Sequence, residues 1–193
     1  MNAREKGMDL SVSMIDRVTE QLAGFGVETV NLGGNEPLFT NGPNPRNTLL
    51  PYIIEKLTSL GIKVGLTTSG ITLIYLYKYH RSVLGLLNDC DVSFDSPFPD
   101  EHNANRGAAI FGQAIHALEI CRKEGIPRTC ILAAMNWNFT KRHITALISL
   151  ASAQDANIRI NPLKPVLPEH MKSALPVSMY YEGFAHLMAS CDP

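Results

Sequence analysis

Long apolar runs are missing from these 193 residues; none approaches the roughly 20 that a membrane-spanning helix needs. The opening stretch "MNAREKGMDLS" is polar and has no apolar centre of the kind a secretory signal requires. Charge is sparse and balanced, with 17 Lys plus Arg against 18 Asp plus Glu, and no basic run occurs. That balance argues against nucleic acid or an anionic membrane as the main partner. Cysteine is scarce, at 90, 121, 130 and 191 without paired spacing. In a chain lacking a secretory signal these read as reduced thiols, mostly buried, and a cytoplasmic location is the expectation. A glycine-rich phosphate loop with its lysine is also lacking.

What is present suits one domain with a substantial core: 45% hydrophobic and 18% charged residues over 193 positions. Helices and strands alternate five times. Helical patterns run over 11–26, 47–61, 72–87, 108–125 and 141–154, and strand patterns over 27–32, 62–68, 90–95, 128–135 and 157–163. In the first helix Ile15, Val18 and Leu22 share a face, and Ser13 and Asp16 are spaced as a capping box. Pro51 marks the first turn of the second helix. Residues 162–176 are proline-rich and irregular, and 179–190 begin an amphipathic terminal helix that looks incomplete. Such alternation means crossover units and a parallel sheet. A doubly wound sheet and a barrel both fit. The chain starts on a helix, so a first strand looks missing in front of residue 11.

Ligands of parallel α/β folds sit at the carboxyl ends of the strands. Here those ends read "GGNEP" at 33–37, "TTSG" at 67–70, "SFDSP" at 93–97, "NWN" at 136–138 and "NPLKP" at 161–165. All are polar or glycine-rich, whereas the opposite ends are plain turns. Gly33 and Gly34 permit a tight turn or a close approach, and Glu36 is placed to be solvated or to meet a cation. A plain strand-to-helix turn with a solvated acid would produce the same stretch.

Taken in order, these loops resemble the radical S-adenosylmethionine superfamily. In that family the second strand ends in Gly-Gly-Glu-Pro, matched here by "GGNEP" with one inserted asparagine. A "TNG"-like turn after the third strand is similar to "TTSG". The segment "DVSFDSPFPDEHNANRG" from Asp91 resembles the fourth strand end with its following His and Arg-Gly. The likeness covers about residues 11–165. It implies an α/β fold, a partial (β/α) TIM-like barrel with a parallel sheet of about five strands, the first strand missing. It also implies an S-adenosylmethionine pocket drawn from Gly33, Gly34, Glu36, Pro37, Thr68, Ser93, Asp95, Arg106 and Asn136, with Glu36 on the ammonium. By the same resemblance the fourth-strand group Ser93 or Asp95 takes the ribose or carboxylate, and Arg106 the carboxylate. A turn cap before Pro97 and a solvated arginine are the plainer alternatives. Asn138 reaches the ribose or satisfies its own turn, and Ser69 borders the pocket. His102, Arg106, Trp137 and Lys164 are candidate substrate contacts, with His102 more often a surface residue.

The family holds a 4Fe–4S cluster on three cysteines spaced CxxxCxxC, and its chemistry yields a 5′-deoxyadenosyl radical. This sequence has no such triplet. Cys90, Cys121 and Cys130 read as core thiols. The expectation is a fragment of a radical enzyme cut after its cluster loop, with "MNAREKG" as the remnant, and inactive by itself. A reductant such as flavodoxin or ferredoxin would serve the parent enzyme; the substrate is not readable. Cys191 in "CDP" opens a cysteine-rich extension on that reading. The alternatives are a cluster-free protein binding S-adenosylmethionine or a partner, and an unrelated α/β enzyme with a phosphate or sugar substrate. An exposed sheet edge at the missing strand would make the chain adhesive. Anaerobic reconstitution with iron and sulfide is expected to leave the purified chain without a four-iron cluster; close to four irons per chain would count against this.

Overall fold

The computed structural model describes residues 9–191. The expectations placed on residues 1–8, 192 and 193 lie outside the described residues. Five strands, β1 (Thr29–Leu32), β2 (Lys63–Thr68), β3 (Leu87–Phe94), β4 (Arg128–Ala134) and β5 (Asn157–Pro162), form one sheet in the order β1-β2-β3-β4-β5. Every pair is parallel, with Leu32 opposite Leu66, Phe94 opposite Leu132 and Ala134 opposite Pro162. The strand order separates the two architectures left open above. Strands laid down in sequence wind in one direction, so their helices collect on one face and leave the other face free to line a cavity. A doubly wound sheet reverses at its middle. This sheet is a partial barrel, and it is open.

The helices are α1 (Val12–Gly24), α2 (Leu50–Ser59), α3 (Ile71–Tyr79), α4 (Pro99–Arg106), α5 (Phe111–Glu124), α6 (Lys141–Ala153) and α7 (Val177–Cys191). Cys90, Val92 and Phe94 alternate along β3 toward the helices and are fully buried with Ala114, Leu118 and Cys121 of α5. Leu66, Leu73, Leu76 and Leu132 join the same core at 0% exposure. Each such side chain contributes about 1.5–3 kcal/mol by leaving water. This layer fixes the sheet's back so that its front can be polar.

Several boundaries differ from the sequence reading. Ser11, not Ser13, caps α1, its hydroxyl accepting from the Met14 amide at 3.2 Å. Asp16 instead accepts from the Tyr52 hydroxyl at 2.6 Å and pairs with Lys56, which ties α1 to α2. The buried face of α1 carries Ile15 and Thr19, and Val18 is turned outward at 49% exposure. The third helix breaks at His80 into a 3-10 turn over Arg81–Leu86, because Val83 and Leu84 must swing inward to feed β3. β3 accordingly starts three residues early, at Leu87.

The 3-10 turn Pro168–Ser173 interrupts the segment read as irregular, and α7 is a 15-residue helix rather than a stub. Phe184 of α7 stacks against Phe139 with ring centroids 5.4 Å apart.

A helix hidden from the sequence reading is α4, inside the stretch read as loop. Its signals are ordinary: Pro99 in the first turn, Asp100 and Glu101 beside it, and Gly107 left-handed at the end. Its polar composition masked them. At the start of α3, Gly70 takes φ of +113°, and an added Cβ would stand 2.6 Å from the Gln113 carbonyl oxygen of α5. Gly70→Ala is therefore expected to destabilise the fold by about 2–4 kcal/mol, from strain plus forced separation of α3 and α5, as read from urea unfolding midpoints.

Candidate functional site

A cavity of about 890 Å³ opens at the carboxyl ends of the strands. The side chains lining it alternate along the strands: Asn31 from β1, Thr67 from β2, Asp91, Ser93 and the adjoining Asp95 from β3, Ile131 and Ala133 from β4, and Arg159 and Asn161 from β5. That alternation is the two-residue period of a strand. Asn105 and Arg106 of α4 close one side, and Leu163, Lys164, Val166, Leu167 and His170 close another.

Asp95 is the best-held group in this wall. Its amide donates to His102 Nδ1 at 3.2 Å, and its carbonyl accepts from Asn138 Nδ2 at 2.6 Å. Its carboxylate accepts from Asn105 Nδ2 at 2.8 Å and Arg106 Nη2 at 2.8 Å, with Arg106 Nε 2.6 Å away. Asp95 is 8% exposed at the side chain and Arg106 23%, so solvent screens the pair less than at a surface. His102 is fully buried, a correction to its reading as a surface residue, because α4 turns it beneath Phe94 and Phe111. Burial and the nearby Arg106 charge lower its pKa, which keeps the imidazole neutral with Nδ1 as an acceptor. Asn138 satisfies its turn, accepting from the Met135 amide at 2.6 Å, and in doing so welds the end of β4 to the end of β3.

Glu36 is engaged elsewhere. Its carboxylate accepts from the Thr68 hydroxyl, the Ser69 amide at 3.0 Å and hydroxyl at 2.6 Å, and the Thr72 amide at 3.1 Å and hydroxyl. Glu36 is therefore a hydrogen-bonded acid rather than a solvated one. The acid caps the N-terminus of α3, where Gly70 offers no side chain and a negative charge is favoured. Gly33 stands close to β2, with an added Cβ 3.1 Å from Thr67, and Gly34 adopts φ of +100°. Both glycines are thus explained by the turn and its neighbouring strand.

Of the other residues read as pocket candidates, Ser93, Asp95 and Arg106 line the cavity together with Lys164. Gly33, Gly34, Glu36, Pro37, Thr68 and Asn136 lie beside the rim but outside that lining. Asn136 donates to the Lys172 carbonyl at 2.8 Å, tying its loop to the 3-10 turn. Trp137 packs edge-on against His143. Asn31, Thr67, Asp91, Asn105, Arg159 and Asn161 were missed. Three of them, Asn31, Asp91 and Arg159, lie two residues before a rim motif, and Thr67 and Asn161 are the first residues of two others.

Three of the cysteines do not suit a cluster. Cys90, Cys121 and Cys130 are 0% exposed in the helix-side core, away from the cavity. Hydrogen bonding with Cys121 and burial push the Cys90 thiol up, and burial pushes Cys130 to about 12, so thiolates are disfavoured. Among the described residues no group of three or more His, Cys, Asp or Glu is placed to hold a metal. No described helix is long and apolar enough to cross a membrane.

A sequentially wound parallel sheet with a polar cavity at its carboxyl rim is the architecture of a half-barrel α/β enzyme. The chain belongs to the radical SAM superfamily, whose family model matches residues 1–151. That family implies S-adenosylmethionine and a 4Fe–4S cluster as cofactors. The chain is 29% identical over 167 residues to a protein of Sulfolobus acidocaldarius named "Probable GTP 3',8-cyclase", covering 81% of this chain and 48% of that protein. It thus spans about half the length of the curated relative it matches. Among solved structures, anSMEcpe with bound AdoMet and a Cp18Cys peptide superposes with a TM-score of 0.71 at 16% identity, over 96% of this chain and 53% of that one. A domain of the pyruvate-formate lyase-activating enzyme from Bacteroides vulgatus gives 0.62 at 13% identity, over 83% and 92%. A radical SAM methyltransferase from Sphaerobacter thermophilus gives 0.64 at 16%, over 93% and 55%. At these identities the structural likeness shows the fold alone.

Burial pushes the Glu36 carboxyl up, but its hydrogen bonds from Ser69, Thr68 and Thr72 more than reverse this and leave it below the ordinary 4.5. A depressed folded pKa contributes stability that is complete above the unfolded value and lost as pH falls through the folded one. Glu36→Gln is expected to cost about 1–3 kcal/mol at neutral pH. It should also flatten the fall in stability below pH 4.5, as followed by chemical denaturation at stepped pH.

Proposed function

We propose that this chain binds S-adenosylmethionine in the cavity at the strand ends and forms the cofactor-holding part of a radical SAM enzyme. The observation that carries the reading is the Asp95–Arg106 wall. A fixed carboxylate and a guanidinium stand side by side in a cavity of about 890 Å³ that Ser93 also lines. The cofactor's ammonium and ribose hydroxyls need acceptors and its carboxylate needs a donor; this wall offers both. The volume lies within the range of cofactor pockets. Ser93 and Asp95 would take the ribose or ammonium, and Arg106 the carboxylate. Glu36 would act on the site indirectly, by holding the 33–37 loop and the start of α3 in register. Asn136 would do the same for the loop after β4. When bound, S-adenosylmethionine would supply a sulfonium centre, one carbon–sulfur bond of which the family cleaves reductively.

The buried thiols give the cluster no ligands within the described residues, so in this reading its thiolates come from polypeptide other than these residues, and these residues alone do not cleave the cofactor. A flavodoxin- or ferredoxin-type reductant and a cytoplasmic setting belong to the same proposal. The likeness to the Sulfolobus protein makes a purine nucleotide such as GTP a reasonable first substrate to try. The same thiol burial favours a second reading, a cluster-free protein that binds S-adenosylmethionine without opening it.

Calorimetric titration of the full chain with S-adenosylmethionine is the test. Binding is expected, and Asp95→Asn should weaken it about 10- to 100-fold through loss of a charged hydrogen-bond partner. Cys130→Ser, in the core, should leave affinity unaltered if the variant folds. Absence of binding by the folded wild-type chain would end the proposal.

A further inference from the structure

The cavity has a second polar wall, two strands away from Asp95, that the cofactor reading does not use. We propose that this wall, on β5 and the segment following it, is a subsite for the anionic group of a second reactant, a carboxylate or phosphate held by Arg159 and Lys164. The inference rests on the cofactor reading only in supposing that a second reactant is present.

Arg159 lies on β5 with Asn161 two residues beyond it, and both line the cavity. Its Nη1 donates to Asp91 Oδ2 at 2.6 Å, reaching past β4 to β3. Asp91 is 1% exposed and the Arg159 side chain 54%. One corner of the guanidinium is therefore fixed by a buried carboxylate while the rest is open to the cavity. A guanidinium has five donors in a rigid fork that matches a carboxylate or a phosphate, and the bond to Asp91 occupies one.

The link to Asp91 is not needed to join the strands. β3, β4 and β5 are already paired by continuous parallel ladders. A carboxylate placed at such depth loses much of its hydration. Burial raises the Asp91 pKa more than the nearby Arg159 charge lowers it, so the pair is a costly staple. What the pair achieves is a guanidinium held still in a cavity wall.

Lys164 lies two residues past the end of β5 and lines the same cavity. β3 and β5 are separated by about 10 Å, two inter-strand spacings. The cavity thus has the Asp95–Arg106 pair at the end of β3 and a cationic side on β5. A cationic cofactor and an anionic reactant would sit next to each other without competing for the same groups.

The experiment is calorimetric titration of the full chain with tripolyphosphate and with citrate, each up to about 10 mM, in wild type, Arg159→Gln, Arg159→Lys and Lys164→Ala. At least one anion is expected to bind, and which one tells phosphate from carboxylate. Its dissociation constant should rise about 10- to 100-fold in Arg159→Gln, with a smaller rise in the other two variants. The Lys variant, which keeps the charge and loses the fork, decides the matter if the Gln variant does not fold. The exposed control Arg81→Gln should bind the anion as wild type does. The proposal is overturned if neither anion binds, or if binding is the same in the Arg159 variants. It is also overturned if Arg159→Gln weakens S-adenosylmethionine as much as the anion, since Arg159 would then serve the cofactor. Anion binding without S-adenosylmethionine binding would remove the cofactor reading and leave this subsite standing.

Discussion

The site depends on how Asp95 is held. Both of its backbone polar groups are bonded to side chains, the amide to His102 and the carbonyl to Asn138, and its carboxylate is held by Asn105 and Arg106. Three of those partners come from α4 and one from the turn after β4. A residue just beyond a strand end would ordinarily belong to a mobile loop. Here its backbone cannot shift without breaking bonds in two elements. A charge can only act as a binding group if it stays where the ligand expects it, and here the loop's own polar groups supply that rigidity.

A second carboxylate does comparable work without facing the cavity. Glu36 takes five donors around the start of α3, which ties the 33–37 loop, the end of β2 and the first turn of α3 together. The two acids have different roles for one reason. Asp95 lies at a strand end whose alternation aims it at the open face, whereas Glu36 follows a glycine turn that carries it across β2 toward a helix end with unsatisfied amides. The third acid, Asp91, lies deeper on β3 and is matched by Arg159 from the far strand. Along one face the sheet therefore sets an acid on β3 against a base on β5, with Ile131 and Ala133 of β4 between them, while its other face is almost wholly apolar.

Much of the architecture was readable before the fold was known, and the failures are local. Five strands and the helices between them follow from periodicity and from glycine at the ends. α4 was missed because "PDEHNANR" carries no apolar face at all, although its capping signals were in place. The break at His80 was missed because apolar residues continue on both sides of "KYHRS" in "TLIYLYKYHRSVLGLL" and neither glycine nor proline stands there to mark a stop. At the rim, "SFDSP" and its following arginine were found as candidates, and they do line the cavity. Asp91 and Arg159 were passed over because they lie inside strands, where a charged residue reads as a solvated position.

What the chain's residues determined unaided is the alternation of elements, the polar character of one rim and the lack of a cysteine triplet, since each is a matter of local composition and spacing. Three things were decided only by tertiary structure. The strand order made the sheet a partial barrel, because pairing between distant segments is not encoded in any one of them. The burial of His102 came from which helix packs on which strand. The separate duties of Glu36, Asp95 and Asp91 came from what each carboxylate meets in space, and a carboxylate's chemistry is set by its donors and its exposure, neither of which a linear sequence contains.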